Sequence, residues 1–175
     1  SLRPGEEVVA GLGGLHGFMD CSGHVLTDSG GYQIFSLTPK VDDEGATFRS
    51  TYDGSMVHLS PERAVAVQEA LGADIQMVLD VCPPLPSPPE VIRAAVERTA
   101  AWAARARVAH RRTDDQALFG IVQGGVDEAL RAESARRTVA LDFDGYGIGG
   151  LSVGESLEEM LPALEAATAV LPTDQ

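Results

Sequence analysis

Short apolar runs alternate with helical patterns along this chain, and each run stops on residues that an ordinary connection does not require. The runs cover residues 24–27, 75–79, 117–122 and 146–148. Helical signals lie between them. Ser60 and Pro61 open one helix and Gly72 stops it, Ser87 opens a long Ala-rich helix over 87–110, and a third covers 127–141. Ser156-x-x-Glu159 is a capping box, and Pro162 is expected to interrupt the early turns of the helix that follows. Strands alternating with helices predict an α/β fold on a parallel sheet. An open doubly wound sheet and a (β/α)8 TIM barrel both satisfy that pattern. A whole barrel needs roughly 250 residues, so in 175 residues a barrel is an incomplete one. Residues 46–60 depart from the alternation and predict a β-hairpin with a type I′ turn at Asp53-Gly54.

The four runs end on Thr27-Asp28-Ser29-Gly30-Gly31, Asp80-Val81-Cys82-Pro83, Gln123-Gly124-Gly125 and Gly149-Gly150-Leu151. In a parallel sheet all C-terminal strand ends lie on one side, where ligands bind in both candidate folds. Asp28, Asp80, Gln123 and Gly150 are therefore expected to converge. Singly, each has a plain structural role: Asp28 can cap a turn, Asp80 can hold a proline-rich loop, and paired glycines make tight turns. Gln123 fits such a role least, because a long amide at a strand end usually reaches toward something.

Two carboxylates and an amide beside closely approaching glycine backbone suit a flat heterocycle rich in N–H donors. A carboxylate accepts from a ring N–H and an exocyclic amine together, and an amide or a backbone N–H donates to a carbonyl oxygen. A guanine-like edge has that mixed pattern. Tyr32 can supply an apolar wall or a stacking partner. Two neighbouring acids also repel, which raises the pKa of one and fits it for proton transfer near neutral pH.

Composition removes other classes. The net charge is −13, with a single lysine, Lys40, whereas nucleic-acid binders usually present a basic face. The arginines between Arg93 and Arg112, with Arg131, Arg136 and Arg137, read as solvated, salt-bridged helix faces. Cys21 and Cys82 are too far apart for a C-x-x-C pair, and His16, His24, His58 and His110 are scattered, so no metal site or cofactor is expected in this chain. No apolar run approaches a membrane span and no signal peptide is visible, which makes a reducing cytoplasm the default. Phosphate-binding glycine motifs and the G-x-S-x-G elbow are missing.

The segments LTDSGGYQIFSL, EGATFRSTYDGS, LSPERAVAVQEALGADI, MVLDVCPP, LFGIVQGG and LDFDGYGIGGLSVGE together resemble the tRNA-guanine transglycosylases, also named queuine tRNA-ribosyltransferases, in their bacterial form. The resemblance implies a (β/α)8 barrel with an inserted zinc module. It also implies exchange of guanine at the wobble position of a GUN anticodon in tRNA for a 7-deazaguanine precursor of queuosine. By the same resemblance Asp28 is the proton acceptor, with Ser29, Gly30, Gly31 and Tyr32 lining its pocket. Asp80 would read the base's ring N–H and amine, and Gln123 and the Gly150 backbone its carbonyl. Cys82 would lie near the base, and Leu151 and Glu155 would meet the side arm of the incoming base. Bacterial members usually have Asp-Glu-Cys-Thr-Pro where this chain has Asp80-Val81-Cys82-Pro83-Pro84.

The family's nucleophilic aspartate, in an Asp-Cys-Val-Leu-Pro-Thr-Arg segment, and its Cys-x-Cys-x-x-Cys…His zinc ligands do not occur in these residues. Nor does the first barrel segment, which in the family precedes a Leu-Arg-Pro-Gly like that at Leu2. The chain is thus expected to be the central part of a longer, homodimeric enzyme, with the basic RNA-facing surface elsewhere, and to catalyse little transglycosylation alone. A non-catalytic nucleobase-binding or partner subunit on the same fold is the alternative. An unrelated barrel lyase or aldolase is weaker, since Lys40 falls in the hairpin excursion.

Overall fold

The protein, a computed structural model, is described over residues 3–173; Leu2 lies outside the described residues. In chain order the elements are α1 (Glu6–Gly11), α2 (Gly14–Met19), β1 (Leu26–Thr27), α3 (Gly31–Phe35), β2 (Lys40–Val41), β3 (Ala46–Arg49), β4 (Met56–Leu59), α4 (Pro61–Leu71), β5 (Ile75–Met77), α5 (Pro89–Ala109), β6 (Ala117–Val122), α6 (Glu128–Val139), β7 (Gly145–Ile148) and α7 (Leu157–Thr168).

The alternating pattern does produce a parallel sheet. Its strands lie in the order β1-β5-β6-β7, with Leu26 opposite Ile75, Met77 opposite Phe119 and Val122 opposite Ile148. Spatial order follows chain order without reversal, and α4 packs on α5, α5 on α6 and α6 on α7. A doubly wound sheet covers both faces by reversing its strand order; among the described strands no reversal occurs. Val65, Val78, Ala103, Ala106, Leu118 and Phe143 fill the space between sheet and helices. On the other face Met77 lies so close to β7 that a Cβ on Gly147 would stand 2.8 Å from its Cε.

β1 is shorter than the apolar run because a side chain takes its first bond: the Asp74 carboxylate accepts from Val25 N–H at 2.7 Å. Where β1 stops, Gln68 of α4 substitutes for a strand. Its Oε1 accepts from Met77 N–H at 3.1 Å and its Nε2 donates to Met77 O at 2.9 Å. β5 ends at Met77 rather than Leu79, with one further bond from Val78 N–H to Phe119 O at 3.1 Å.

The helix signals act mostly as their chemistry predicts. Ser60 Oγ accepts from Arg63 N–H, Pro61 takes the first turn, and Gly72 ends α4 with φ 69°. The Asp127 carboxylate caps α6 through Leu130 N–H. Two expectations need correction. The long helix opens at Pro89 after an extended Pro88, because a residue preceding proline is pushed out of the helical region. Ser87 Oγ instead donates to Pro84 O at 2.6 Å. Pro162 does not interrupt α7, which runs through it behind a complete Ser156–Glu159 capping box. Its ring frees only the carbonyl of Glu158, an exposed residue near the helix start.

Residues 46–60 do form a hairpin, β3 and β4, and β2 from upstream extends it to a three-stranded antiparallel sheet. The turn is not type I′. Only Gly54 (φ 73°) has positive φ there, and its N–H reaches Ser50 O at 3.0 Å. Asp53 keeps ordinary φ because its carboxylate accepts from Ser55 N–H at 3.1 Å and Ser55 Oγ at 2.8 Å. This sheet docks on α5 through Trp102, which is buried against Phe48, Ala46 and Leu79 and donates Nε1–H to Asp43 O at 3.0 Å.

Candidate functional site

The loops that follow β1, β5 and β7 meet, over Ile121 of β6, at one cleft of about 340 Å³. Asp28, Tyr32, Asp80, Cys82, Gly149, Gly150 and Leu151 line it, with Ile121, Ser152 and Val153. Six of the expected site residues, Asp28, Tyr32, Asp80, Cys82, Gly150 and Leu151, are thereby brought together.

Gln123 joins them from behind. It is buried, at 1% exposure, and its Nε2 donates to Asp80 Oδ2 at 2.6 Å. Its own backbone N–H is held by Ser134 Oγ at 2.9 Å. Gly31 belongs to the same wall, since a Cβ there would stand 2.6 Å from Asp80 Oδ1. Ser29 and Gly30 serve the turn instead: Ser29 Oγ accepts from Gly31 N–H at 3.3 Å and Gly30 caps α3 with φ 86°. Glu155 points elsewhere. Its carboxylate accepts from the N–H groups of Ser152 and, at 2.9 Å, Val153, and it borders a second, more apolar cavity with Leu85, Ile92 and Leu130.

Electrostatics single out Asp80. Burial pushes its carboxyl up to about 6 and the nearby Asp28 charge adds to the rise, while the Gln123 hydrogen bond works against both. Like-charge repulsion thus contributes, but removal from water is the larger cause. The Cys82 thiol is also pushed up by burial and by the Asp80 charge, which leaves it a neutral wall and not a nucleophile. A polar pair at one side, exposed Tyr32 at another and close glycine backbone between them give a slot in which a planar base can be held by its edge and face. Among the described residues no three His, Cys, Asp or Glu side chains come together as metal ligands.

The family model for queuine tRNA-ribosyltransferase matches residues 1–175. The chain belongs to this family. A queuine tRNA-ribosyltransferase from Symbiobacterium thermophilum is 56% identical over 99% of the chain and 44% of its own length. Proteins of the same name from Geobacillus thermodenitrificans and Synechococcus elongatus are 52% and 53% identical, with 46% and 45% of their lengths covered. The chain thus spans a little under half the length of the curated relatives it matches. No described helix is long and apolar enough to cross a membrane.

One residue behind the cleft departs from the sequence expectation. Arg131, expected on a solvated face, has no exposed surface, and its guanidinium donates to the carbonyls of Val122, Gly125, Gly149 and Gly150. A signal was available: Arg131, Ser134, Ala135 and Thr138 repeat at helical spacing on the buried side of α6.

Proposed function

We propose that the protein carrying this chain exchanges guanine at the wobble position of a tRNA GUN anticodon for a 7-deazaguanine base. The observation that carries this reading is the buried Asp80–Gln123 pair in a cleft shared with Asp28 and edged by Gly149 and Gly150.

In the proposed pose ionised Asp80 accepts from the base's ring N–H and amine. Gln123 spends one amide hydrogen on Asp80 and has a second for the base carbonyl, beside Gly150 N–H. Tyr32, 62% exposed, offers its ring for stacking. Leu151 borders the path of the incoming base's side arm, Cys82 packs at its edge, and Glu155 holds the loop after Leu151 through the N–H groups of Ser152 and Val153. The nucleoside must leave its stack to enter such a slot.

The reaction proceeds by double displacement. An aspartate from outside these residues attacks the anomeric carbon as the bond to guanine breaks, and the arriving base displaces that aspartate in turn. Asp28 handles the proton of the leaving or arriving base, and Asp80 holds the base in the reactive pose. The one-way winding of the sheet supports a portion of a (β/α)8 barrel with its site at the strand ends. Phosphate contacts with tRNA, a structural zinc and homodimer pairing belong to the whole protein.

Labelled guanine and tRNA test this directly. These 175 residues alone should bind guanine in calorimetry, lose it in Asp80→Ala, and incorporate none into tRNA. Robust incorporation by this chain would overturn the placement of the nucleophile outside these residues, and unchanged guanine affinity in Asp80→Ala would overturn the base-reading role of Asp80.

A further inference from the structure

Arg131 is a buried cation without a carboxylate partner. Its Nε donates to Gly125 O at 2.7 Å, Nη1 to Val122 O at 3.2 Å and Gly149 O at 2.5 Å, and Nη2 to Gly150 O at 2.9 Å. None of the ion pairs among the described residues includes it. Burial lowers its pKa to about 10, so it stays charged at neutral pH. Burying a charge away from water is costly even when it is well hydrogen-bonded, and α6 would pack with an apolar residue at that position. What the charge does accomplish is visible in the peptides it holds.

In a trans peptide the C=O and N–H point in opposite directions. The Gly149 carbonyl shares its peptide with Gly150 N–H, and the Gly150 carbonyl shares its peptide with Leu151 N–H. With both carbonyls turned onto the guanidinium, both N–H groups face the other way. Gly150 and Leu151 line the cleft, and Gly150 N–H lies toward the Cys82 sulfur on the cleft wall. Among the described residues neither N–H is given to a protein oxygen. A charged donor on each carbonyl also polarises the peptide and strengthens its N–H as a donor.

We infer that Arg131 is a positioning residue that turns the Gly149–Gly150 and Gly150–Leu151 peptides so that their N–H groups meet the carbonyl oxygen of the bound base. This rests on the base-exchange reading and extends it to the leaving group. When the glycosidic bond breaks, its electron pair goes to the purine and is delocalised onto that oxygen, where preorganised N–H groups stabilise it.

Guanine and 6-thioguanine separate this role from a general structural one. Both bases carry the ring N–H and amine that Asp80 accepts, but thioguanine replaces the carbonyl oxygen with a poorly accepting sulfur. The protein should bind guanine more tightly, and Arg131→Lys should weaken guanine about tenfold while changing thioguanine less than about twofold. Arg131→Met, which fills similar space without donors, should do the same if the lysine variant does not fold. Equal losses for the two bases, no loss for either, or absence of a cooperative melt in both variants would overturn the assignment. Unaltered protein that binds no guanine would remove the base-exchange reading itself, and this inference with it. Full guanine affinity in Arg131→Lys would remove only the inference.

Discussion

Gln123 Nε2 lies 2.6 Å from Asp80 Oδ2, an amide-to-carboxylate hydrogen bond between the ends of two neighbouring parallel strands, with both residues almost wholly buried. The bond orients a carboxylate that burial would otherwise neutralise. It leaves Asp80 with acceptor capacity and Gln123 with a free amide hydrogen, which together are the complement of a guanine edge.

Guanine affinity should therefore depend on pH in a defined direction. Asp80, with its pKa pushed up to about 6, must be ionised to accept two N–H groups. Affinity measured by calorimetry should be flat above neutrality and fall by up to about tenfold per pH unit below that value. A flat profile down to pH 5 would mean that Asp80 does not read the base.

The same residue should weaken the fold. Its folded value of about 6 stands above the ordinary 3.8, so between those values the folded state holds the proton more tightly than the unfolded one. Stability from this group is full in acid, declines as pH rises through that window, and stays reduced above it, by on the order of 3 kcal/mol. Asp80→Asn, neutral throughout, should melt higher than the unaltered protein at pH 8, with the gap shrinking toward pH 4, while guanine binding is lost. A lower melting point at pH 8 would contradict this balance.

Gly31→Ala should damage the site without a backbone penalty. Gly31 has no positive φ, but an added Cβ would stand 2.6 Å from Asp80 Oδ1 and 3.2 Å from Asp80 O. Asp80 is short and tied to Gln123, so it must shift. Guanine affinity should fall about tenfold or more, the scale of one lost charge-assisted hydrogen bond. Unaltered affinity would show that the carboxylate can move at no loss.

Trp102→Ala should cost about 3–5 kcal/mol in urea unfolding. It removes the anchor of the antiparallel sheet and leaves Asp43 O without its donor. Hydrogen exchange should accelerate in β2, β3 and β4 before β6, because Trp102 is the largest buried side chain in the cluster that joins those strands to the core. Uniform acceleration would indicate a single cooperative unit.

Much of the site was readable because a parallel sheet puts every strand end on one side. Asp28, Asp80, Gln123 and Gly150 stood out as residues at such ends, and the cleft contains or backs onto all four. Two of the misjudged details share one cause, competition from a partner that local pattern does not reveal. Ser55 satisfied Asp53, so the type I′ turn did not form. Asp74 and Gln68 took backbone bonds that the strand pattern assigned to β1.

Residue order was enough for the alternation, the caps at Ser60 and Ser156, and the chemistry gathered at the strand ends, since these depend on neighbours within a few positions or on a rule of sheet geometry. Folding in three dimensions decided that strand order does not reverse, that Glu155 turns away from the cleft, and that Arg131 enters the interior. Those outcomes depend on which carbonyls and carboxylates from distant segments meet in a space without water. There an unpaired polar group costs more than any local preference is worth.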